Sequence, residues 1–192
     1  MAIVEDKVKP DRMNLNMNTA DGRRRASTWW QWGRYTPALF RAIKPLDRVL
    51  VISSQAAVHF AFAFLPSNYI FSSNLNVFPF DKYSVFCTMQ CRVHEIYARF
   101  FGATIKDDLS YTPTTCFETF PFPENWETNP ELESIGQEYY EFRAALMIRN
   151  NEGLTDTYNR FHDIEEDDAD ILKLRQLHTQ MDTAVLACQR LS

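Results

Sequence analysis

Three short apolar segments in the first half of the chain have the length and residue types of β-strands. Residues 48–53 are mostly branched apolar side chains, and residues 59–65 alternate large and small side chains. Residues 68–80 supply a third strand, with room for a fourth if the chain turns at 72–74. Such runs, bounded by turn-forming residues, predict a small and mostly antiparallel sheet.

Helical spacing of apolar residues appears before and after these segments. Residues 37–43 predict a short helix, and residues 81–101 predict a longer one that Asp81 caps and Gly102 ends. Arg92, Glu95 and Arg99 fall outside its apolar stripe. The stripe that we expect to be buried consists of Val85, Phe86, Met89, Val93, Ile96, Tyr97 and Phe100.

The stretch from 110 to 123 is unusually rich in aromatic residues and proline. Residues 110–119 are largely β-branched or aromatic, which predicts another strand. Pro121 and Pro123 lack backbone donors, so we expect the chain to leave the sheet there as an extended arm. Phe117, Phe120 and Phe122 would give that arm three apolar side chains to bury.

The last third of the chain is predicted to be helical, with helices at 130–150, 153–162 and 170–190 and an acidic turn at 163–168. The whole pattern predicts an α+β fold, in which a small, mostly antiparallel sheet packs with helices and a C-terminal helical segment follows. The expected divisions are a polar and basic lead-in (1–27), a sheet-containing domain (28–123), a linker (124–128) and the helical segment (129–192).

Basic and acidic residues are distributed unevenly along the chain. Residues 1–106 hold 14 Lys and Arg against 7 Asp and Glu, whereas residues 107–192 hold 6 against 18. This asymmetry indicates a basic part that can meet phosphate and an acidic part that stays away from it, although chance clustering would give the same numbers. The sequence has no apolar run long enough to span a membrane and no signal peptide, and we expect reduced cysteines and a cytoplasmic location.

Two basic or aromatic clusters near the N-terminus are open to two interpretations. Arg23, Arg24 and Arg25 are either a solvated segment or a phosphate-contacting arm. Trp29, Trp30 and Trp32 either anchor a segment to the core or stack on exposed bases.

Catalytic chemistry is not recognisable in this sequence. It has no glycine-rich loop for S-adenosylmethionine, no Asn/Asp-Pro-Pro-aromatic tetrapeptide, and no nucleophile constellation at a suggestive spacing. Cys87, Cys91 and His94 share one helix face, but the apolar residues around them favour a core role over a metal site. We expect no metal, and keep as an alternative a metalloenzyme that uses His59, Cys91 and His94.

One segment resembles a known family. Tyr111-Thr-Pro-Thr-Thr-Cys-Phe117-Glu-Thr-Phe-Pro-Phe-Pro123 is similar to the motif that closes the target-recognition region of type IIG, MmeI-like restriction–modification methyltransferases and of the related PglX-like phage-defence enzymes. In this motif Tyr111, Thr112, Phe117, Glu118, Phe120, Pro121, Phe122 and Pro123 would be structural. Further matching pieces lie at 8–12, 29–30, 48–52, 90–95, 153–159 and 174–178 with Asp182, whereas the ending at 187–192 departs from the family.

The resemblance implies that residues 28–123 are a target-recognition domain for double-stranded DNA. The methyltransferase domain, in the same or a partner chain, would bind S-adenosylmethionine and methylate adenine at N6, while this chain alone would be neither catalytic nor cofactor-binding. Base-reading candidates are Arg92, Arg99, Thr104, Lys106, Asp107 and Asp108, and DNA-backbone candidates are Arg23, Arg24, Arg25 and Arg34. The alternatives to base reading are a solvated turn at 104–108 and, for the whole chain, a helical protein-interaction module without DNA contact.

Overall fold

The computed structural model describes residues 2–31, 36–55, 58–105 and 108–190, and it divides into two compact units, Met1–Ala42 and Ile43–Ser192. The helices of the first part of the chain are a π-helical turn at Val4–Val8 that runs into α1 (Lys9–Met13), then α2 (Ala20–Ser27) and α3 (Pro37–Ile43). Thr19 caps α2, because its hydroxyl accepts a hydrogen bond from the Gly22 amide at 3.0 Å. The segment predicted as a polar lead-in therefore contains helices. Its polar composition lacks the apolar spacing from which a helix is predicted.

A three-stranded antiparallel sheet forms one side of the second unit, which confirms the predicted α+β fold. Its strands are β1 (Arg48–Ser53), β2 (Ala63–Pro66) and β3 (Leu75–Phe78), in the order β2-β1-β3. The central strand pairs Val49 with Leu65 on one side and Val51 with Val77 on the other. The predicted strand at 59–65 starts only at Ala63, and the segment 68–80 contributes one strand within its described residues.

The outer edge of β2 and the residues leading into it are closed by helix side chains rather than by another strand. Gln90 accepts from the Phe62 amide at 2.8 Å and donates to the Phe60 carbonyl at 2.9 Å. Arg143 donates to the Phe62 carbonyl at 2.8 Å, and the Tyr140 hydroxyl accepts from the Phe64 amide at 3.0 Å. The Phe64 amide of β2 and the outward backbone groups of Phe60 and Phe62 just before it are therefore satisfied inside the unit.

The helix predicted at 81–101 is two helices, α4 (Tyr83–Gln90) and α5 (Arg92–Phe101). Cys91 between them is extended, with φ −63° and ψ 155°. Asp81 does not cap α4; the Ser84 amide instead donates to the Glu133 carboxylate at 2.7 Å. The amide of Arg92 likewise donates to Asp182 at 2.7 Å, so carboxylates from the C-terminal helices cap both α4 and α5.

After α5 the chain forms a small hairpin and then a helical turn. Gly102 ends α5, as predicted, and its dihedrals are extended (φ −74°, ψ 162°). Strands β4 (Ala103–Ile105) and β5 (Asp108–Ser110) pair antiparallel, and α6 (Pro113–Cys116) follows. The strand predicted at 110–119 was therefore wrong beyond Ser110, because Thr112-Pro113 starts a helix with proline at its first position, where the missing amide costs nothing.

Three helices make up the C-terminal segment, as predicted: α7 (Pro130–Asn150), α8 (Leu154–His162) and α9 (Ala169–Arg190). The Asn129 side chain caps α7 by accepting from Glu131 and Leu132 amides, and Asn151 ends it in the left-handed conformation. α7 approaches α4 so closely that a Cβ on Gly136 would lie 2.3 Å from the Tyr83 carbonyl oxygen. Among the described helices, none is both long and apolar enough to cross a bilayer.

Candidate nucleic-acid interface

Helix α5 carries an exposed face that differs from the predicted one. Val85, Phe86 and Met89 are buried as expected, but Ile96 and Phe100 are 61% and 78% exposed. The interruption at Cys91 shifts the phase of the second helix, so His94 and Ala98 face the core in their place. The exposed face consists of Arg92, Ile96, Arg99 and Phe100, which follow helical spacing.

The two arginine candidates on this face are anchored differently. Arg99 pairs with Glu95 one turn earlier, with Nε and a terminal nitrogen each 2.9 Å from the same carboxylate oxygen. Arg92 uses its backbone amide to contact Asp182 and is itself exposed. Since exposed ion pairs contribute only about 0–1 kcal/mol, Arg99 can exchange its carboxylate for a phosphate or a base edge at little cost.

The remaining base-reading candidates lie on the β4–β5 hairpin. Thr104 pairs with Leu109, and Asp108 pairs with Ile105 in the antiparallel register. Lys106 and Asp107, between the two strands, lie outside the described residues. The hairpin follows directly from the C-terminal end of α5, so the two groups of candidates are adjacent in the fold.

The motif at 111–123 packs as an aromatic cluster under α5. Phe122 stacks on Trp126 with ring centres 4.1 Å apart, and Phe117 contacts Phe78 of β3 at 5.0 Å. Phe120 is buried against His94 at 4.5 Å. Of the other motif residues, Tyr111 and Pro123 are buried, Thr112 precedes α6, and Glu118 and Pro121 are exposed. Pro121 accepts a hydrogen bond from Gln189 of α9 through its carbonyl oxygen, at 3.2 Å.

His94 ties α5 to this cluster. Nδ1 is 2.9 Å from the Met89 carbonyl oxygen, Nε2 is 3.0 Å from that of Cys116, and the Tyr111 hydroxyl is 3.2 Å from Nε2. Burial lowers the pKa of His94 to about 4, outweighing the two carbonyls that favour the protonated ring. The ring is therefore neutral at physiological pH, and it can donate to only one of its two carbonyl neighbours.

The basic run of α2 makes hydrogen bonds and ion pairs within α2 and with the turn just before it. Arg24 and Arg25 both reach the Asp21 carboxylate, at 2.8 and 2.7 Å, and lower its pKa. Arg23 donates to the Met17 carbonyl at 2.8 Å. Nearby, Lys9 lies over the ring of Trp29 at 5.0 Å, and Trp30 is mostly exposed. Arg34 and Trp32 lie outside the described residues.

The metal-site alternative gains no support from the geometry. Both ring nitrogens of His94 face carbonyl oxygens, and burial raises the pKa of the Cys91 thiol to about 12. His59 is instead stacked on His162, with ring centres 5.3 Å apart. Across the described ranges, no three His, Cys, Asp or Glu side chains form a cluster that could hold a metal ion.

A family model described as "MmeI, target recognition domain" matches residues 11–124 of the chain. The match includes the sheet, α4, α5, the hairpin and the complete aromatic motif. The chain belongs to the MmeI target-recognition-domain family. It is accordingly a DNA-recognition module of a restriction–modification system. Neither a curated protein nor a solved structure matches the chain.

Two features of this MmeI-type domain were missed from the sequence. The exposure of Phe100 follows from the break at Cys91, for which the sequence offers no glycine or proline as a signal. The capping of α5 by Asp182 joins residues 90 positions apart, beyond the range of any local pattern.

Proposed function

We propose that this chain reads duplex DNA for an S-adenosylmethionine-dependent methyltransferase that modifies adenine at N6, in a type IIG or phage-defence system. The observation that carries the proposal is the family match over residues 11–124. An enzyme that flips a base into its pocket cannot also inspect the neighbouring bases there, so recognition belongs to a separate surface. The methyltransferase domain, in the same or a partner chain, supplies the cofactor site.

Within this proposal, α5 and the β4–β5 hairpin form the reading surface. Lys106 can donate to guanine O6 and N7, and Asp107 or Asp108 can accept from cytosine N4. Arg92, Arg99 and Thr104 flank them on the same continuous stretch of chain. Arg23, Arg24, Arg25 and Arg34 add phosphate contacts that are independent of sequence.

Binding by the 192-residue protein alone tests the phosphate part of the proposal. Fluorescence anisotropy with a labelled duplex should give Kd values of roughly 10⁻⁴–10⁻⁶ M that weaken steeply with salt. The double variant Arg23→Gln/Arg24→Gln should reduce the slope of log K against log salt by about one to two. The charge-matched control Arg149→Gln/Lys173→Gln, on the acidic C-terminal helices, should leave the slope unchanged.

Base reading is tested on the protein joined to its methyltransferase domain. Lys106→Ala or Asp108→Ala should cost about 1–3 kcal/mol at one base-pair position and leave non-specific binding nearly intact. Mapping of methylated adenines gives the recognised sequence for each variant. A recognised sequence identical to the parent's for both variants would move base reading away from the hairpin, and an absence of methylated adenine with all parts present would refute the proposed reaction.

A further inference from the structure

The C-terminal end of α5 presents two adjacent aromatic rings to solvent. Phe100 is 78% exposed and Phe101 53% exposed, and Ile96 lies one turn earlier on the same helix. Most aromatic rings of the second unit pack against others in its interior, as those of the 111–123 motif do. A contiguous group of large exposed apolar side chains marks a contact surface.

Phe100 is exposed but held in place from behind. Its ring contacts Phe101 edge to face, with centres 4.8 Å apart at 77°, and Phe101 contacts Tyr97 at 4.5 Å. The Tyr97 hydroxyl donates to the Thr119 carbonyl at 2.7 Å, so the row of rings is fixed to the segment that follows α6. A ring supported in this way loses little conformational freedom when it enters a binding partner.

The surroundings of Phe100 fit a nucleic acid. Arg99 is its neighbour in sequence and Arg92 lies two turns earlier on the same exposed face, while Glu95 is engaged by Arg99. The β4–β5 hairpin starts at Ala103. Its three-residue strands extend roughly 10 Å at ~3.3 Å per residue. A strand of that length can lie along about three base-pair steps of ~3.4 Å, so the hairpin can reach the bases next to Phe100.

We propose that Phe100 is a wedge that enters the base stack of duplex DNA beside the bases read by the hairpin. The inference rests on the proposed function and adds to it a residue that distorts the DNA. Apolar side chains inserted between base steps partly unstack them, and the aromatic ring replaces part of the lost stacking. Arg92 and Arg99, on the same exposed face of α5, contact the DNA next to the opened step.

The test compares two 30-bp duplexes of the same sequence, one intact and one with a central abasic site. The abasic site removes the cost of unstacking in advance, so the 192-residue protein should bind the abasic duplex at least about ten-fold more tightly. Phe100→Ala should abolish this preference, and Phe100→Trp should keep it. Ile164→Ala removes an equally exposed apolar side chain (88% exposed) from the acidic turn and should behave as the parent. Because Phe100 and Ile164 are both exposed, all three variants should unfold at the parent's temperature.

Three results would overturn the wedge. If the parent binds both duplexes with equal affinity, no step is opened. If Phe100→Ala keeps the parent's preference for the abasic duplex, another group opens the step. If that variant has also lost a concentration-dependent self-association shown by the parent, Phe100 and Phe101 form a protein contact instead. If the parent binds neither duplex at low salt, the proposed function fails together with the wedge. In the first two results the parent still binds DNA, so only the wedge fails.

Discussion

The contact between α4 and α7 at Gly136 can be tested with a single methyl group. In Gly136→Ala the new Cβ would lie 2.3 Å from the Tyr83 carbonyl oxygen and 2.9 Å from the Cys87 Cβ. The carbonyl belongs to the backbone of α4, so it cannot rotate away and the helices must separate by about 1 Å. Such overpacking costs about 1–3 kcal/mol, whereas alanine is favoured over glycine in a helix by about 1 kcal/mol.

Because the clash involves a backbone atom, we expect the upper end of that cost and a net loss of about 2 kcal/mol in the free energy of unfolding. For a protein of this size the loss corresponds to a fall of about 4–8 °C in Tm. Urea denaturation followed by circular dichroism should show a lower midpoint with an unchanged m-value.

Gly153→Ala is the matched control for this substitution. No heavy atom lies within 4 Å of a Cβ at Gly153, and its φ of −85° suits any residue. Gly153 is the N-cap of α8, where alanine is less favourable than glycine, so we expect a loss of only about 0.5–1 kcal/mol in its free energy of unfolding. Equal stability of Gly136→Ala and Gly153→Ala would refute the described spacing of α4 and α7.

Other predictions concern buried polar groups. The pKa of His94 is about 4 in the folded protein and about 6.5 in the unfolded chain, so the unfolded chain binds the proton first as pH falls. The free energy of unfolding should therefore drop by up to about 3 kcal/mol between pH 6.5 and 4. His94→Gln, measured by urea denaturation at pH 7 and 4.5, should lose correspondingly less on acidification; an equal loss would assign the effect to other groups. Arg143→Met leaves the Phe62 carbonyl without its donor and removes one of the two partners of the Tyr158 hydroxyl, so Tm should fall by an amount equivalent to about 1–3 kcal/mol, and an unchanged Tm would contradict this role. Asp182→Ala removes the cap of α5 and should cost about 1 kcal/mol in urea denaturation, whereas Asp182→Asn, which keeps an acceptor oxygen, should cost less.

Elements with strong local signals were predicted closely. The limits of β1 agree with the apolar run at 48–53, and α7 spans the predicted 130–150 because Asn129-Pro130 supplies both a cap and a favourable first helical residue. The division of 81–101 at Cys91 could not be predicted, since it follows from how α4 and α5 pack and not from a helix-breaking residue. The helix at 113–116 could have been recognised from Pro113, but its threonine-rich composition favoured a strand.

The candidate site was only partly accessible from the sequence. The resemblance to the family located the aromatic motif and the stretch before it. The hydrogen-bond and ion-pair partners of Arg92, Arg99 and His94 could be identified only from the folded chain. Glu133 and Asp182 cap helices through amides 49 and 90 positions away in sequence, and no local sequence pattern predicts such contacts. Base reading by Lys106, Asp107 and Asp108 stays a prediction.

The closed edge of β2 has a consequence for how copies of this protein meet. An open edge is a template on which a further chain can continue the hydrogen-bonding ladder, which leads to strand exchange and fibrillar growth. Here Gln90 and Arg143 occupy the Phe62 amide and carbonyl just before β2, and Tyr140 occupies the Phe64 amide within it. A further chain would have to displace these three side chains before it could pair with this edge, which disfavours growth of the sheet from β2.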